Sequence, residues 1–130
     1  MSDETGDSLD ALGCDVLVQT KIAQVCIWRP TRDGYDVLED RMKGRLERAM
    51  TLWCDNQRLT PEMFNANEGR SPKNNLLQAF KTFKCRLYGF VRTVGGTKTF
   101  IIVDIDPAKK KDKADPGILK RAKSRVDDAA

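Results

Sequence analysis

Basic and aromatic side chains alternate along one short stretch of this chain, in a pattern suited to the chemistry of a phosphate backbone. Lys84, Arg86, Tyr88 and Arg92 are separated by even numbers of residues. In an extended strand such residues point to one side, with neighbours about 7 Å apart. Cations at this pitch roughly match the phosphates of a nucleic-acid strand, and an interleaved aromatic ring can stack on a base.

The chain contains no histidine, so any catalysis must proceed without imidazole. RNA allows this, because its own 2′-OH can attack the adjacent phosphate while cations stabilise the developing charge. We therefore predict Lys84, Arg86 and Tyr88 as catalytic residues. The two cations would hold the scissile phosphate, and Tyr88 would stack on a base or transfer a proton. The alternative interpretation is a solvated sheet face whose aliphatic stems cover apolar neighbours.

Further cations are predicted to bind flanking phosphates. Between Phe80 and Arg125 there are 13 Lys and Arg residues against 4 Asp, in a chain with a net charge of only +4. Charge concentrated in this way attracts anions, and nucleic acid above all. The predicted nucleic-acid-binding residues are Lys81, Arg92, Lys98, Lys109, Lys110, Lys111 and Lys113. For the run of lysines the alternative is an ordinary solvated loop.

Other classes of site are excluded or disfavoured. Histidine-dependent triads and zinc sites are impossible, and the chain has neither a P-loop nor a dinucleotide-binding glycine motif. The four cysteines form no C-x-x-C pair, so we expect buried thiols in a reducing compartment. No apolar run approaches the roughly 20 residues that cross a bilayer. We therefore expect a cytoplasmic protein with no metal, no cofactor and no membrane partner.

The elements that would position the basic row predict a small single α+β domain. Residues 1–13 are acidic and poor in apolar side chains, so we expect a disordered tail followed by one domain over residues 14–130. The predicted order is β-α-(α)-β-β-α, with an antiparallel sheet and helices packed on it.

Individual signals support each of these elements. Period-2 patterns predict strands at Lys21–Trp28, from Phe83 to Arg92 and at Lys98–Ile105. Pro30 and Gly34 indicate a turn, and Asp36 with Glu39 resembles a capping box that opens a long helix. Ser71-Pro72 predicts a short helix to about Ala79. Gly95-Gly96 predicts a tight hairpin turn, and Asp115-Pro116 predicts the cap of a final helix.

The C-terminal half resembles the RelE/HigB/ParE superfamily of bacterial and phage-derived toxins, and within it the HigB-like, phage-associated members. The similarity extends from Leu76 to Arg125, about half of the chain. The motifs that carry it are the run from Phe80 to Phe90, Thr99-Phe100-Ile101-Ile102, Ala108-Lys109-Lys110 and Ile118-Leu119-Lys120-Arg121-Ala122. The resemblance implies a RelE-like α+β fold.

The resemblance also implies a function. It suggests the toxin of a type II toxin–antitoxin system, an endoribonuclease that cleaves mRNA in the ribosomal A site and is neutralised by a cognate antitoxin protein. Lys81, Lys84, Arg86 and Arg92 match the basic strand of the family by position, and Lys109 and Lys110 match its paired lysines. Many members carry a late Tyr or His, and this chain has neither after Tyr88. The alternative is a non-catalytic relative, either a gyrase inhibitor or an RNA-binding module.

Overall fold

A six-stranded sheet carries three helices in the part of the chain that the computed structural model describes, residues 8–82, 84–107 and 115–129. The strands are β1 (Cys14–Gln19), β2 (Ala23–Trp28), β3 (Phe64–Asn65), β4 (Gln78–Lys81), β5 (Arg86–Val94) and β6 (Thr97–Asp106). The helices are α1 (Arg29–Asp36), α2 (Asp40–Cys54) and α3 (Pro116–Ala129). Within the described ranges, no helix has the length and apolar character needed to cross a membrane.

The sheet is mixed, with the strand order β1-β2-β6-β5-β4-β3. All neighbouring strands are antiparallel except β2 and β6, which run parallel. The predicted α+β class is therefore confirmed, whereas the prediction of a purely antiparallel sheet is wrong. The parallel pair arises because the chain crosses over through α1, α2 and β3–β5 before β6 pairs with β2. The predicted tight turn joins β5 to β6, where Gly95 and Gly96 have φ values of 58° and 79°.

Each face of the sheet is covered by a helix. On one face, α2 contributes Leu46, Met50 and Trp53 to a core that includes Phe80 and Phe100. The ring centroid of Trp53 lies 5.8 Å from that of Phe100 and 6.2 Å from that of Phe80, both in edge-on geometry. On the other face, α3 contributes Ala122 and Val126 to a second core that includes Leu77, Tyr88 and Ile101.

The region between β2 and α2 differs from the sequence prediction. The predicted turn at Pro30 and Gly34 is instead the helix α1, which tolerates Pro30 because a proline in the first turn loses no intrahelical hydrogen bond. The predicted capping box is also wrong, because Asp36 ends α1 while Glu39 precedes α2 without a side-chain cap.

The final helix begins as predicted, since Asp115 Oδ1 accepts hydrogen bonds from the N–H groups of Gly117 and Ile118.

Residues 71–79 do not form the predicted short helix. Asn74 has a φ of 68°, a left-handed conformation that no right-handed helix continues through. The segment is instead attached to α3, since Asp127 accepts hydrogen bonds from the Ser71 hydroxyl, the Asn75 amide and the Lys73 N–H. The chain then becomes extended in β4.

Residues 8–13, which belong to the predicted tail, form turns and contact the domain. Backbone hydrogen bonds join Leu12 N–H to Ser8 and Cys14 N–H to Leu9. The Asp10 carboxylate lies 2.6 Å from Arg29. Residues 1–7 of the predicted tail lie outside the described residues.

A β-bulge interrupts the central hairpin and forces a close backbone approach. Tyr88 pairs with Asp104, but the next pair is Gly89 with Ile102, so Val103 has no partner across the ladder. Beyond the bulge the alternation in β6 shifts by one residue, and Asp104 lies on the α3 side of the sheet together with Val103. Opposite the bulge, a Cβ atom added to Gly89 would lie 2.2 Å from the carbonyl oxygen of Ile101.

Gly89→Ala should therefore destabilise the fold by about 3 kcal/mol, because the obstacle is backbone that cannot rotate away. Gly44→Ala is the matched control: Gly44 lies within α2, and its added Cβ would meet nothing within 4 Å. That substitution should stabilise the protein by about 1 kcal/mol. Urea unfolding of both variants measures the difference, and equal effects would contradict the close approach.

Candidate nucleic-acid interface

The predicted catalytic residues Lys84, Arg86 and Tyr88 do not form an exposed row of side chains. Arg86 is 5% exposed and Tyr88 is fully buried. Both point to the side of the sheet that α3 covers, where Tyr88 joins the apolar core. The prediction that Arg86 and Tyr88 project into solvent beside Lys84 is therefore wrong. The physical reason is that alternation places residues on one side of a strand, but it cannot show whether that side is covered.

Arg86 is neutralised from within the protein. Its Nη1 donates to both carboxylate oxygens of Glu68, at 2.8 and 3.1 Å, and the Glu68 side chain is 7% exposed. Glu68 precedes β4, and its N–H donates to the carbonyl of Leu77. A guanidinium held in this way is not available to grip a phosphate.

Tyr88 is also unsuited to proton transfer. Burial raises the pKa of its phenol to about 12, with the nearby Glu68 carboxylate contributing in the same direction. A group of this pKa neither gives up nor accepts a proton readily near neutral pH. The burial of Tyr88 and its raised pKa do not support the predicted catalytic role.

The other predicted cations do not form one surface. Arg92 is half-buried on β5, about 20 Å along the strand from Arg86. Lys98 belongs to the opposite face, where its ammonium lies 4.6 Å from the ring centroid of Trp53. Lys84 is exposed just before β5, and Lys81 ends β4 in register with Arg86. Lys109, Lys110, Lys111 and Lys113 lie outside the described residues.

The four cysteines are buried, as the sequence predicts, and none forms a disulfide. Burial raises the pKa of the Cys14 and Cys54 thiols to about 11 and that of Cys26 to about 12. Thiols with such high pKa values are poor nucleophiles. In the described ranges, no group of three or more His, Cys, Asp or Glu side chains is arranged to hold a metal ion.

A cationic surface does exist, and it is formed by α2 rather than by the hairpin. Arg41, Arg45 and Arg48 are exposed and follow one another at spacings of four and three residues, which places them on one side of the helix over about 10 Å. Two cavities of about 250 and 280 Å³ run between this side of α2 and the corner that joins β4 to β5. They share Arg45 and Thr82, and we call them together the α2 groove.

The α2 groove is strongly positive and has a partly apolar floor. Its lining includes five cations and two carboxylates, which gives it a net charge of +3; these residues are Arg41, Arg45, Arg48, Lys81, Lys84, Glu39 and Glu62. Within the described part of the chain, no carboxylate lies within 4 Å of the three arginines. Met42 and Met63 supply apolar surface.

The arginines of this groove are not among the predicted site residues. Their helical spacing is visible in the sequence, but a charged helix face is normally solvated surface. What distinguishes this face is its contact with the corner that holds Lys81 and Lys84. Such a contact between distant segments depends on tertiary packing.

Removal of Glu68 tests whether Arg86 is a structural rather than a ligand-binding cation. Glu68→Gln should destabilise the protein by about 3–5 kcal/mol, because it leaves a guanidinium charge buried without its carboxylate. Asp10→Asn, which breaks an exposed ion pair of Arg29, is the control and should change stability little. Chemical denaturation gives both values, and a small effect of Glu68→Gln would show that Arg86 does not depend on this carboxylate.

Comparison of the chain with protein-family models, with curated proteins and with solved structures finds no match in any of the three.

Proposed function

We propose that this protein binds single-stranded RNA through the α2 groove. The observation that carries the proposal is the row of three exposed arginines on α2, set across a groove from Lys81 and Lys84. Guanidinium groups present paired donors that match phosphate oxygens. A row about 10 Å long is suited to successive phosphates rather than to a single anion.

The groove also offers surface to the bases. Met42 and Met63 lie among the cations, and the polarisable methionine side chain packs favourably against aromatic rings. A single strand can turn its bases toward such a floor while its phosphates contact the rim. A duplex keeps its bases stacked inside, so it would use only the charge of this surface.

Neutralising the arginines tests this proposal. A variant with Arg41→Gln, Arg45→Gln and Arg48→Gln should bind a labelled single-stranded RNA oligonucleotide at least tenfold more weakly at low salt. It should also reduce the slope of log affinity against log salt by about 2, since three phosphate contacts are lost. Fluorescence anisotropy across a salt series measures both quantities.

A control variant removes the same charge elsewhere. Lys21→Gln, Lys73→Gln and Lys120→Gln affect three exposed lysines that do not line the α2 groove. This variant should retain most of the affinity. Equal losses in the two variants would mean that the protein attracts RNA by net charge alone, which would end the proposal.

A second candidate function is the mRNA endonuclease toxin that the sequence resemblance implies, acting on ribosomes in the cytoplasm and neutralised by an antitoxin. Two observations support it: the β5–β6 hairpin precedes the capped helix α3 in the chain, and Lys84 is exposed at the α2 groove. In this candidate function Lys84 and the α2 arginines contact the mRNA, while Arg86 and Tyr88 fix the position of β5 within the protein.

Expression in a bacterial host without any antitoxin separates the two candidates. A toxin should arrest growth and leave discrete cuts in mRNA, detected by primer extension. Lys84→Ala combined with Arg45→Ala should relieve the arrest, whereas the triple lysine control should remain toxic. Unimpaired growth with no cuts, at confirmed expression, would eliminate the toxin and leave the RNA-binding proposal unaffected.

A further inference from the structure

A third cavity, of about 260 Å³, lies between α1, the end of β6 and α3. We call it the α3 pocket. Its described lining includes Thr31, Gly34, Asp104, Pro107, Arg121 and Arg125. Among the described residues it shares no lining residue with the α2 groove and contains none of the predicted site residues.

A buried carboxylate holds the two arginines of the pocket in place. Asp104 is 2% exposed, and its Oδ1 and Oδ2 each accept a hydrogen bond of 2.7 Å from Arg121. Nη1 of Arg125 lies 3.1 Å from Asp104 Oδ1 and 3.3 Å from the carbonyl oxygen of Val103. The β-bulge makes this possible, because it puts Asp104 on the α3 side of the sheet. The two guanidinium groups are therefore oriented before any ligand arrives.

Donors remain on both arginines after these contacts. Each guanidinium carries five N–H groups. Nη1 of Arg121 and both Nε and Nη2 of Arg125 have no hydrogen-bond partner among the described residues. Arg121 is half-exposed and Arg125 about one-third exposed, so these donors are accessible from solvent.

The charge of the pocket is not fully balanced by its lining. Two guanidinium groups face one carboxylate, which leaves a net charge of +1 among the described lining residues. Asp115 also acts electrostatically on Arg121, but it is outside the described pocket lining and exposed, so solvent screens its charge. A single carboxylate would be satisfied by one bidentate arginine, so the second arginine supplies positive charge beyond that need.

We propose that the α3 pocket binds a phosphomonoester through Arg121 and Arg125. A phosphate dianion offers oxygens to both guanidinium groups and neutralises the excess charge. The cavity is slightly smaller than the roughly 300–1,000 Å³ of sites for drug-sized ligands, so it accommodates a phosphate with a sugar-sized group attached. The phosphate can belong to a small sugar phosphate or to the 5′ end of an RNA strand, and the experiment separates these sources.

Trp28 provides a reporter for this pocket. Cζ of Arg125 lies 6.0 Å from the Trp28 ring centroid, so a ligand that moves or neutralises Arg125 changes the environment of the indole. The chain has only two tryptophans, and Trp28→Phe assigns the Trp28 indole N–H signal in a proton–nitrogen NMR spectrum of the full chain.

Four probes are titrated into the full chain at low salt while this signal is followed: inorganic phosphate, ribose 5-phosphate, and a tetranucleotide with either a 5′-phosphate or a 5′-hydroxyl. We expect saturable shifts with ribose 5-phosphate, with the 5′-phosphorylated tetranucleotide, or with both, and not with the 5′-hydroxyl tetranucleotide. Saturation by ribose 5-phosphate alone identifies a small metabolite, and saturation by the phosphorylated tetranucleotide alone identifies an RNA end. Saturation by inorganic phosphate alone would overturn the proposal. So would the absence of saturation by every probe up to about 10 mM, a concentration that exceeds the Kd of weak specific binding.

Variants test the assignment of the residues. Arg121→Gln with Arg125→Gln should weaken binding roughly tenfold or more, because charge-assisted hydrogen bonds are lost. Lys120→Gln, on the same helix but outside the pocket lining, should leave it unchanged. The triple arginine variant of the α2 groove should also bind normally, so failure of the RNA-binding proposal is distinguishable from failure of this one.

Asp104→Asn covers the case in which loss of the arginines prevents folding. Asparagine keeps an oxygen acceptor for the arginines but removes the competing negative charge. This variant should bind the phosphomonoester several-fold more tightly than the wild type. Equal or weaker binding would show that the arginines serve only to neutralise Asp104.

Discussion

Charge buried at one end of the sheet is the constraint on which the rest of this structure depends. Arg86 and Asp104 lie on adjacent strands and are 5% and 2% exposed. Each is paired with a group from outside the sheet, Arg86 with Glu68 and Asp104 with Arg121. A buried charge that loses its partner costs several kcal/mol. The segment before β4 and the helix α3 are therefore tied to the sheet by charge as well as by apolar packing.

This constraint also decides which cations are available to a ligand. On the α3 side of the central hairpin, Arg86 supports the fold, and Tyr88 lies in the core beneath α3. On α2, by contrast, the apolar stripe of Leu46, Met50 and Trp53 faces the sheet and the arginines remain in solvent. The helix α2 thus keeps its apolar side chains and its exposed arginines on separate sides.

The sequence predicted the local features well where local chemistry decides them. The Gly95-Gly96 turn and the Asp115 cap depend on neighbouring residues, and both are present. Arg86 and Tyr88 also lie on the same side of β5, as their spacing predicts. What the sequence could not show is that α3 covers this face, or that Glu68, 18 residues earlier, reaches Arg86.

The β-bulge shows a second limit of the same kind. Regular alternation would place Asp104 on the side opposite Val103, away from α3. One extra residue at Val103 puts Asp104 on the α3 side, next to Arg121 and Arg125. Gly89 is the local sign of this irregularity, because only glycine fits beneath the Ile101 carbonyl. A glycine within a strand pattern indicates a bulge or a close approach, but it does not say which face gains the extra side chain.

Hydration explains why the buried and exposed arginines cannot exchange roles. Affinity for a nucleic-acid backbone comes largely from cations that displace the counterions around phosphates. Arg45 can do so because its guanidinium is already in water, so contact with a phosphate costs little desolvation. Arg86 would first have to leave Glu68, and the carboxylate left behind would carry the cost of an unpaired buried charge. A polyanion therefore gains more from the α2 arginines than from any cation on the covered face, even though the sequence pattern of that face resembles a phosphate-binding row more closely.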